Sequence, residues 1–316
     1  MAKVLRIEKK IPRTWEEASA NFLFWKQAEG VSERTIEDYS YHITKFYKRF
    51  PDCFTSGKLK PAVLRYMSDK IKPATFNIRL VYLKTFFSWC VRERIIDENP
   101  LEGISKRKTE GRVLDINLDL IKALIGLPDK NTFAGMRDYA LFLLILDTGV
   151  RPGEAFSLRV NDINFKNLQM TIPSEVAKTR VSRTLPISPI TGQVIKQLVV
   201  ARHPYWTQDT PIFCTVDGGK MTRHTLYERM KLYNVKLNGS LRGYDLRHFF
   251  ATQSLRNNPN VHALRVALGH SSLYMAQRYL HLVEDDIKDW HNQSSPLKSL
   301  LPQKQRVRKI TVKKEE

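Results

Sequence analysis

The stretch GYDLRHFFAT, residues 243–252, sets a tyrosine and an arginine three positions apart, just ahead of two phenylalanines. Read as a helix, it puts Leu246, Phe249 and Phe250 on one apolar stripe, with Tyr244, Arg247 and His248 sharing the opposite face by the i, i+3, i+4 rule. A fixed positive charge beside a phenol either meets water or holds a ligand. Which of the two applies depends on the rest of the chain.

At 316 residues the chain exceeds what a single core usually sustains, so two domains are expected, each large enough to fold without metal or disulfide staples. Cys53, Cys90 and Cys214 are odd in number and far apart, with no CxxC pair. They read as reduced packing residues rather than as a disulfide framework or a zinc site. The longest apolar run, YALFLLIL at 139–146, is too short to span a bilayer, and MAKVLRIEKK at the start lacks the apolar core of a signal peptide. A cytoplasmic location with no membrane partner is therefore expected.

Charge narrows the class of partner. Lys and Arg number 52 against 32 Asp and Glu, a formal net charge of +20. A polyanion is the natural complement. The basic residues are spread among aromatic and polar groups instead of gathered on one amphipathic anchor, which favours nucleic acid over a membrane surface.

Along the chain, apolar residues recur at helical spacing from TWEEASANFLFWKQAEG through VSERTIEDYSYHITKFYKRF to PATFNIRLVYLKTFFSWCVRERIID. Ser32 and Pro73 are start signals, while Gly30 and ENPLEG at 98–103 are stops. The pattern predicts a helical N-terminal domain over 1–104, a charged linker over 105–114, a second domain over 115–290 and a basic tail over 291–316. The second domain reads as mixed. Helices are expected at about 117–126, 134–147, 191–201, 222–236 and 244–256, with two more up to about residue 290. Two short strands, in NLQMTIP and RTLPIS, flank SEVAKTRVS, a polar connection that exposes Lys178, Arg180 and Arg183.

Four places can carry chemistry. In DTGVRPGEA at 147–155 an apolar helix ends at Thr148 and Gly149 and another starts at Pro152. Arg151 thus stands at a helix entrance, where Glu154 can cap amides or hold the guanidinium. Lys178 lies on the turn between the strands. Tyr244 and Arg247 share the face described above. In LGHSSLYMAQRYLHL at 268–282, Gly269 stops one helix, His270 sits at a corner, and Tyr279 lies about two turns along the next. Each has an ordinary reading by itself: a capping arginine, a solvated lysine, a core tyrosine.

Taken in order within one basic domain, these motifs resemble the tyrosine recombinases, or phage integrase family, from the linker to about residue 290. TGVRPGEA, the strand-turn-strand with Lys178, YDLRHFFAT, LGHSS and RYLH carry the resemblance, and the first domain is similar to the family's helical core-binding domain. The fold so implied is mainly α: a SAM-like core-binding domain followed by a mixed α/β catalytic domain with a small antiparallel sheet. Position by position, Arg151 and Arg247 match the family's arginine pair, Lys178 its turn lysine, His270 its second histidine or tryptophan, and Tyr279 its nucleophile. Tyr244 stands where most members have histidine. A phenol, with a reference pKa near 10, donates to a phosphate oxygen but accepts protons poorly at neutral pH.

The resemblance implies site-specific cleavage and rejoining of double-stranded DNA through a 3′-phosphotyrosyl link, with no cofactor or metal. It also implies a homo-oligomer, a dimer on each recombination site and a tetramer in the synapse. The basic tail, placed after the tyrosine helix and carrying the strand-like pattern RVRKITV, is expected to contact a neighbouring protomer. Two rival readings share much of this pattern. A type IB topoisomerase would relax a single duplex, and a catalytically silent architectural protein would only bind DNA. The short helical first domain argues against the former, and the retained Arg151, Lys178, Arg247, His270 and Tyr279 against the latter.

Overall fold

A computed structural model describes residues 11–54, 57–109, 116–269, 272 and 279. The chain divides into two compact units, residues 1–112 and 113–316.

The described part of the first unit holds four α-helices: α1 (Trp15–Ala28), α2 (Glu33–Arg49), α3 (Leu59–Met67) and α4 (Pro73–Arg92). Local chemistry sets most of their ends. Thr14 and Ser32 side chains accept amides of Glu17 and Thr35 at the starts of α1 and α2, and Pro73 opens α4 where its missing N–H costs nothing. Gly30 leaves α1 with φ +72°. The helix α4 ends at Arg92, ahead of the stop expected at ENPLEG, and Arg94 then turns the chain at φ 60°. Sequence periodicity also passes over α3, a short helix whose Pro61 falls within the first turn and is therefore tolerated there. The core these helices share is aromatic: Phe22, Phe46, Tyr47, Phe86 and Phe87 are all fully buried.

The second unit is built around α6 (Phe133–Thr148), which follows α5 (Leu118–Gly126). Ala140, Leu141, Phe142, Leu144 and Ile145 of α6 are inaccessible, as befits a helix apolar on nearly every side. The one-turn α7 (Pro152–Ala155) leads to a three-stranded antiparallel sheet in the order β1 (Ile163–Asn164), β2 (Gln169–Ile172), β3 (Arg183–Pro186). Met170 faces Leu185 and Ile172 faces Arg183 across the β2–β3 pair. After it come α8 (Pro189–Val200), α9 (Arg223–Leu237), α10 (Gly243–Asn257) and α11 (Val261–Leu268). Both α8 and α10 pack on α6.

A buried carboxylate ties α6 to α9. Asp138, with no exposed surface, accepts from Arg137 Nε and Nη2 at 3.0 and 2.8 Å, from Arg229 Nε at 2.5 Å and from Tyr233 Oη at 2.7 Å. All its acceptor capacity is used, which is what lets an ionised group sit in a core. The three cysteines are free and buried, and burial pushes the Cys53 thiol up to about 11. Among the described residues no helix is long and apolar enough to cross a membrane.

Candidate active site

Two helix ends and one helix start meet at the site. The first end is that of α6, where Gly149 takes the left-handed conformation (φ 64°) and caps the helix by donating its N–H to Ile145 O. A Cβ there would stand 2.3 Å from Phe250 Cδ1, so the position excludes any side chain on two counts. The second end is that of α11, capped the same way by Gly269 at φ 60°.

Arg247, on α10, bridges the two. It is wholly buried, and its Nη1 donates to Gly149 O at 2.5 Å and its Nη2 to Leu268 O at 2.8 Å. Carbonyls at a helix C-terminus carry the negative end of the dipole, a natural counterpart for guanidinium. The N-cap of α7, Arg151, reaches the adjoining peptide: its Nη2 donates to Gly269 O at 3.2 Å. Two arginines 96 positions apart in sequence thus bind consecutive carbonyls of one turn. Their proximity is also felt electrostatically. Burial first, then repulsion from Arg151, brings Arg247 down to about 10, which still leaves it charged at neutral pH.

Glu154 holds the arrangement together. Its carboxylate is 3% exposed. It accepts from Arg151 N and Nη1 at 3.3 and 3.1 Å, from Arg183 Nη1 and Nη2 at 3.3 and 2.5 Å, and from the Lys178 amide at 3.3 Å. Burial pushes its pKa up, but the hydrogen bond and charge of Arg183, the charge of Arg151 and the Lys178 amide outweigh it, and the net shift is downward. The capping and the grip on Arg151 follow the sequence reading of DTGVRPGEA. The bond to the Lys178 amide fixes one end of the turn that carries that lysine, whose residue stays exposed.

The face expected on α10 is only partly exposed. Tyr244 is 44% accessible, but Arg247 is sealed, because α10 packs against both α6 and α11 and carbonyls meet the guanidinium there. The two phenylalanines separate as well. Phe249 joins the main core, whereas Phe250 packs with Ala251, Leu255, Leu264, Leu268 and Tyr279 in a smaller cluster. Arg183 is a second correction. It opens β3 and is pinned to Glu154, with a side chain 10% exposed, instead of being displayed on the turn.

Tyr279 is 7% exposed, and its Oη lies 2.8 Å from His248 Nδ1. His248 also meets the Tyr244 ring edge-on, with centroids 4.9 Å apart and planes at 73°. Arg247 Cζ is 5.9 Å from the centre of the Tyr244 ring. Arg151, Arg247, Tyr244 and Tyr279 therefore belong to one cluster, with the Lys178 turn attached through Glu154, while His270 lies outside the described residues. The sequence reading placed His248 on the face of Tyr244 and Arg247, and Arg183 on the turn beside Lys178, without making either a site residue. Signals for both existed: His248 is four residues from Tyr244 on one helix face, and Arg183 shares the inward strand face with Leu185 by the period of two.

The phage integrase family model matches residues 116–285 of the chain. Tyrosine recombinase XerD of Lacticaseibacillus casei is 26% identical over 292 residues, covering 88% of this chain and 98% of that protein. Among solved structures, the integrase of the Tn1549 transposon in complex with transposon right end DNA is 18% identical, covers 84% of this chain and 94% of its own, and superposes with a TM-score of 0.68. A lambda integrase dimer bound to a COC′ core site is 17% identical, covers 84% and 76%, and gives a TM-score of 0.65. Both share the mainly helical architecture described above.

Proposed function

Because the chain belongs to the phage integrase family, we propose that it is a tyrosine-type site-specific DNA recombinase, with Tyr279 as nucleophile and Arg151 and Arg247 as the phosphate clamp. The observation that carries this reading is the convergence of the two guanidinium groups on the carbonyls of Leu268 and Gly269, beside the cluster that contains Tyr279. A phosphodiester repels nucleophiles through its own charge, so attack needs cations aimed at the nonbridging oxygens. Guanidinium suits that role because it stays charged and forks across two oxygens. Tyr244, exposed beside Arg247, adds a neutral donor, and His270 adds another.

Attack by Tyr279 Oη forms a 3′-phosphotyrosyl bond and expels the 5′-oxygen. Lys178 supplies the proton that oxygen needs; Arg180 on the same turn holds its proton too tightly for the task, and Arg183 is engaged by Glu154. The link retains the bond energy, so a 5′-hydroxyl from a partner duplex reverses the step without ATP. The lambda integrase relative is a dimer on its DNA site, which supports a dimer per site here and, in strand exchange, a tetramer. The net charge of +20 fits a DNA partner.

The test is a nicked duplex from which the cleaved 5′ fragment diffuses away, carrying a site recovered by trapping covalent complexes from randomised DNA. Wild type should form a covalent adduct and Tyr279→Phe none. An adduct in both would remove Tyr279 as the nucleophile. Deletion after residue 290 should abolish the tetrameric synapse while sparing site binding.

A further inference from the structure

We infer that His248 is the general base of the reaction, receiving the Tyr279 proton as that oxygen attacks phosphorus; the inference rests on Tyr279 being the nucleophile. The separation of 2.8 Å between Tyr279 Oη and His248 Nδ1 allows direct transfer, with no intervening water. The acceptor is also well placed mechanically. It is the next residue after Arg247, whose fork anchors α10 to Gly149 and Leu268, and its ring is packed on one side by Tyr244. The same helical turn therefore fixes both the cation for the phosphate and the partner for the nucleophile.

Among the described residues the neighbouring groups are poorer acceptors. Tyr244 is a phenol that keeps its own proton at neutral pH. Glu154 is spent on Arg151, Arg183 and the Lys178 amide, and Asp245 on the amide of Arg242. Of the elements packed against α10, α6 and α9 bring Asp138, Arg229 and Tyr233, which are bonded to one another, and α11 brings His262 and Arg265. Arg247 interacts electrostatically with both Arg151 and Tyr279.

The step balances within the protein and the DNA. In the Nε2–H tautomer, Nδ1 takes the phenolic proton while the Oη–P bond forms and the P–O5′ bond breaks, and O5′ leaves with a proton from Lys178. On rejoining, the neutral Lys178 amine takes the proton of the attacking 5′-hydroxyl as P–O5′ forms, and the imidazolium returns its proton to Tyr279 Oη as the Oη–P bond breaks. The imidazole accepts the proton only while it is itself neutral, so the step is blocked once acid protonates it. Direct transfer to imidazole before attack is uphill, since a phenol titrates near 10, so the two events occur together.

The experiment uses the full chain and the nicked duplex described above, with adduct formation followed in single turnover across pH. His248→Gln should retain DNA binding in a gel-shift assay and lose at least about 100-fold in cleavage rate. The wild-type rate should climb from the acid side and level off, a limb that the glutamine variant lacks. Added imidazole should restore part of the cleavage by His248→Ala. A His248→Gln rate within about threefold of wild type, or faster, overturns the inference, as does an acid limb that wild type and the glutamine variant share. Absence of any adduct from wild type points instead to the underlying assignment of Tyr279.

Discussion

Arg183 Nη2 stands 2.5 Å from Glu154 Oε2, joining the first residue of β3 to the one-turn helix whose N-cap is Arg151. Both side chains are nearly sealed, at 10% and 3% exposure. The pair thus ties the sheet to the helix capped by Arg151, one of the two arginines proposed to hold the phosphate. Arg183 also lies under Gly269, where an added Cβ would meet its Cζ at 2.9 Å.

Removing the charge from this pair should cost stability. Glu154→Gln leaves two guanidinium groups without their carboxylate and is expected to destabilise the second unit by about 3 kcal/mol in urea unfolding. The sign with pH follows from the downward shift of Glu154. Its contribution is present above the ordinary value of 4.5 and is lost as pH falls through the lower folded value. Wild type should therefore lose stability relative to Glu154→Gln as the pH is lowered below about 4.5; parallel curves for the two proteins would refute the assignment.

Asp138 offers a comparison away from the site. Asp138→Ala strands Arg137 and Arg229 in or near the core, and a loss of about 3 to 5 kcal/mol is expected. Tyr233→Phe removes a neutral hydroxyl that donates to Asp138 and accepts from Arg229 Nη2, and should cost less, about 2 kcal/mol. Urea midpoints of the two variants should fall in that order; equal midpoints would mean that the carboxylate is not the centre of the network.

Gly149→Ala puts a methyl group where Phe250 already sits and forces an L-residue to φ 64°. The strain alone should exceed about 1 kcal/mol. Because Gly149 O also receives Arg247, adduct formation should fall more steeply than the unfolding free energy would explain. A variant that unfolds earlier but cleaves at the wild-type rate when folded would show that the carbonyl does not position the arginine.

Much of this was legible in the sequence for local reasons. The end of α6 at Gly149, Pro152 as a helix opener and Glu154 as a cap are consequences of neighbouring residues. The same holds for the two longer strands of the sheet, whereas β1, of two residues, is too short to carry a period. What escaped was decided over long range. Amphipathicity assigns Arg247 to a polar face, but carbonyls 98 and 21 positions away make a buried socket for it. The link between His248 and Tyr279 spans 31 positions and leaves no periodic trace.

Tyr244 tests how much of the clamp is a matter of hydrogen bonding. Its ring stacks edge-on against His248, and it is exposed enough to meet a ligand oxygen. Tyr244→His should keep cleavage, since imidazole also donates, while Tyr244→Phe should lower the adduct rate by about 10-fold, the worth of one hydrogen bond to a charged group. Equal rates for all three residues would show that the phenol serves only to pack His248.

Lys178 can be separated from every other group by changing the leaving atom. Its turn is held by the bond from its own amide to Glu154, so replacing the side chain leaves the backbone anchor intact. If the ammonium protonates the departing 5′-oxygen, Lys178→Ala should lose about 100-fold or more in cleavage of ordinary DNA. A duplex with sulfur in the bridging 5′ position expels a thiolate, which is stable without a proton, since thiols titrate near 8.5. On that substrate Lys178→Ala should cleave at close to the wild-type rate, whereas variants of Arg151 and Arg247 should stay impaired, because the nonbridging oxygens they bind are unchanged. Should the sulfur substrate leave Lys178→Ala as slow as before, the lysine would be binding phosphate and the proton would come from elsewhere.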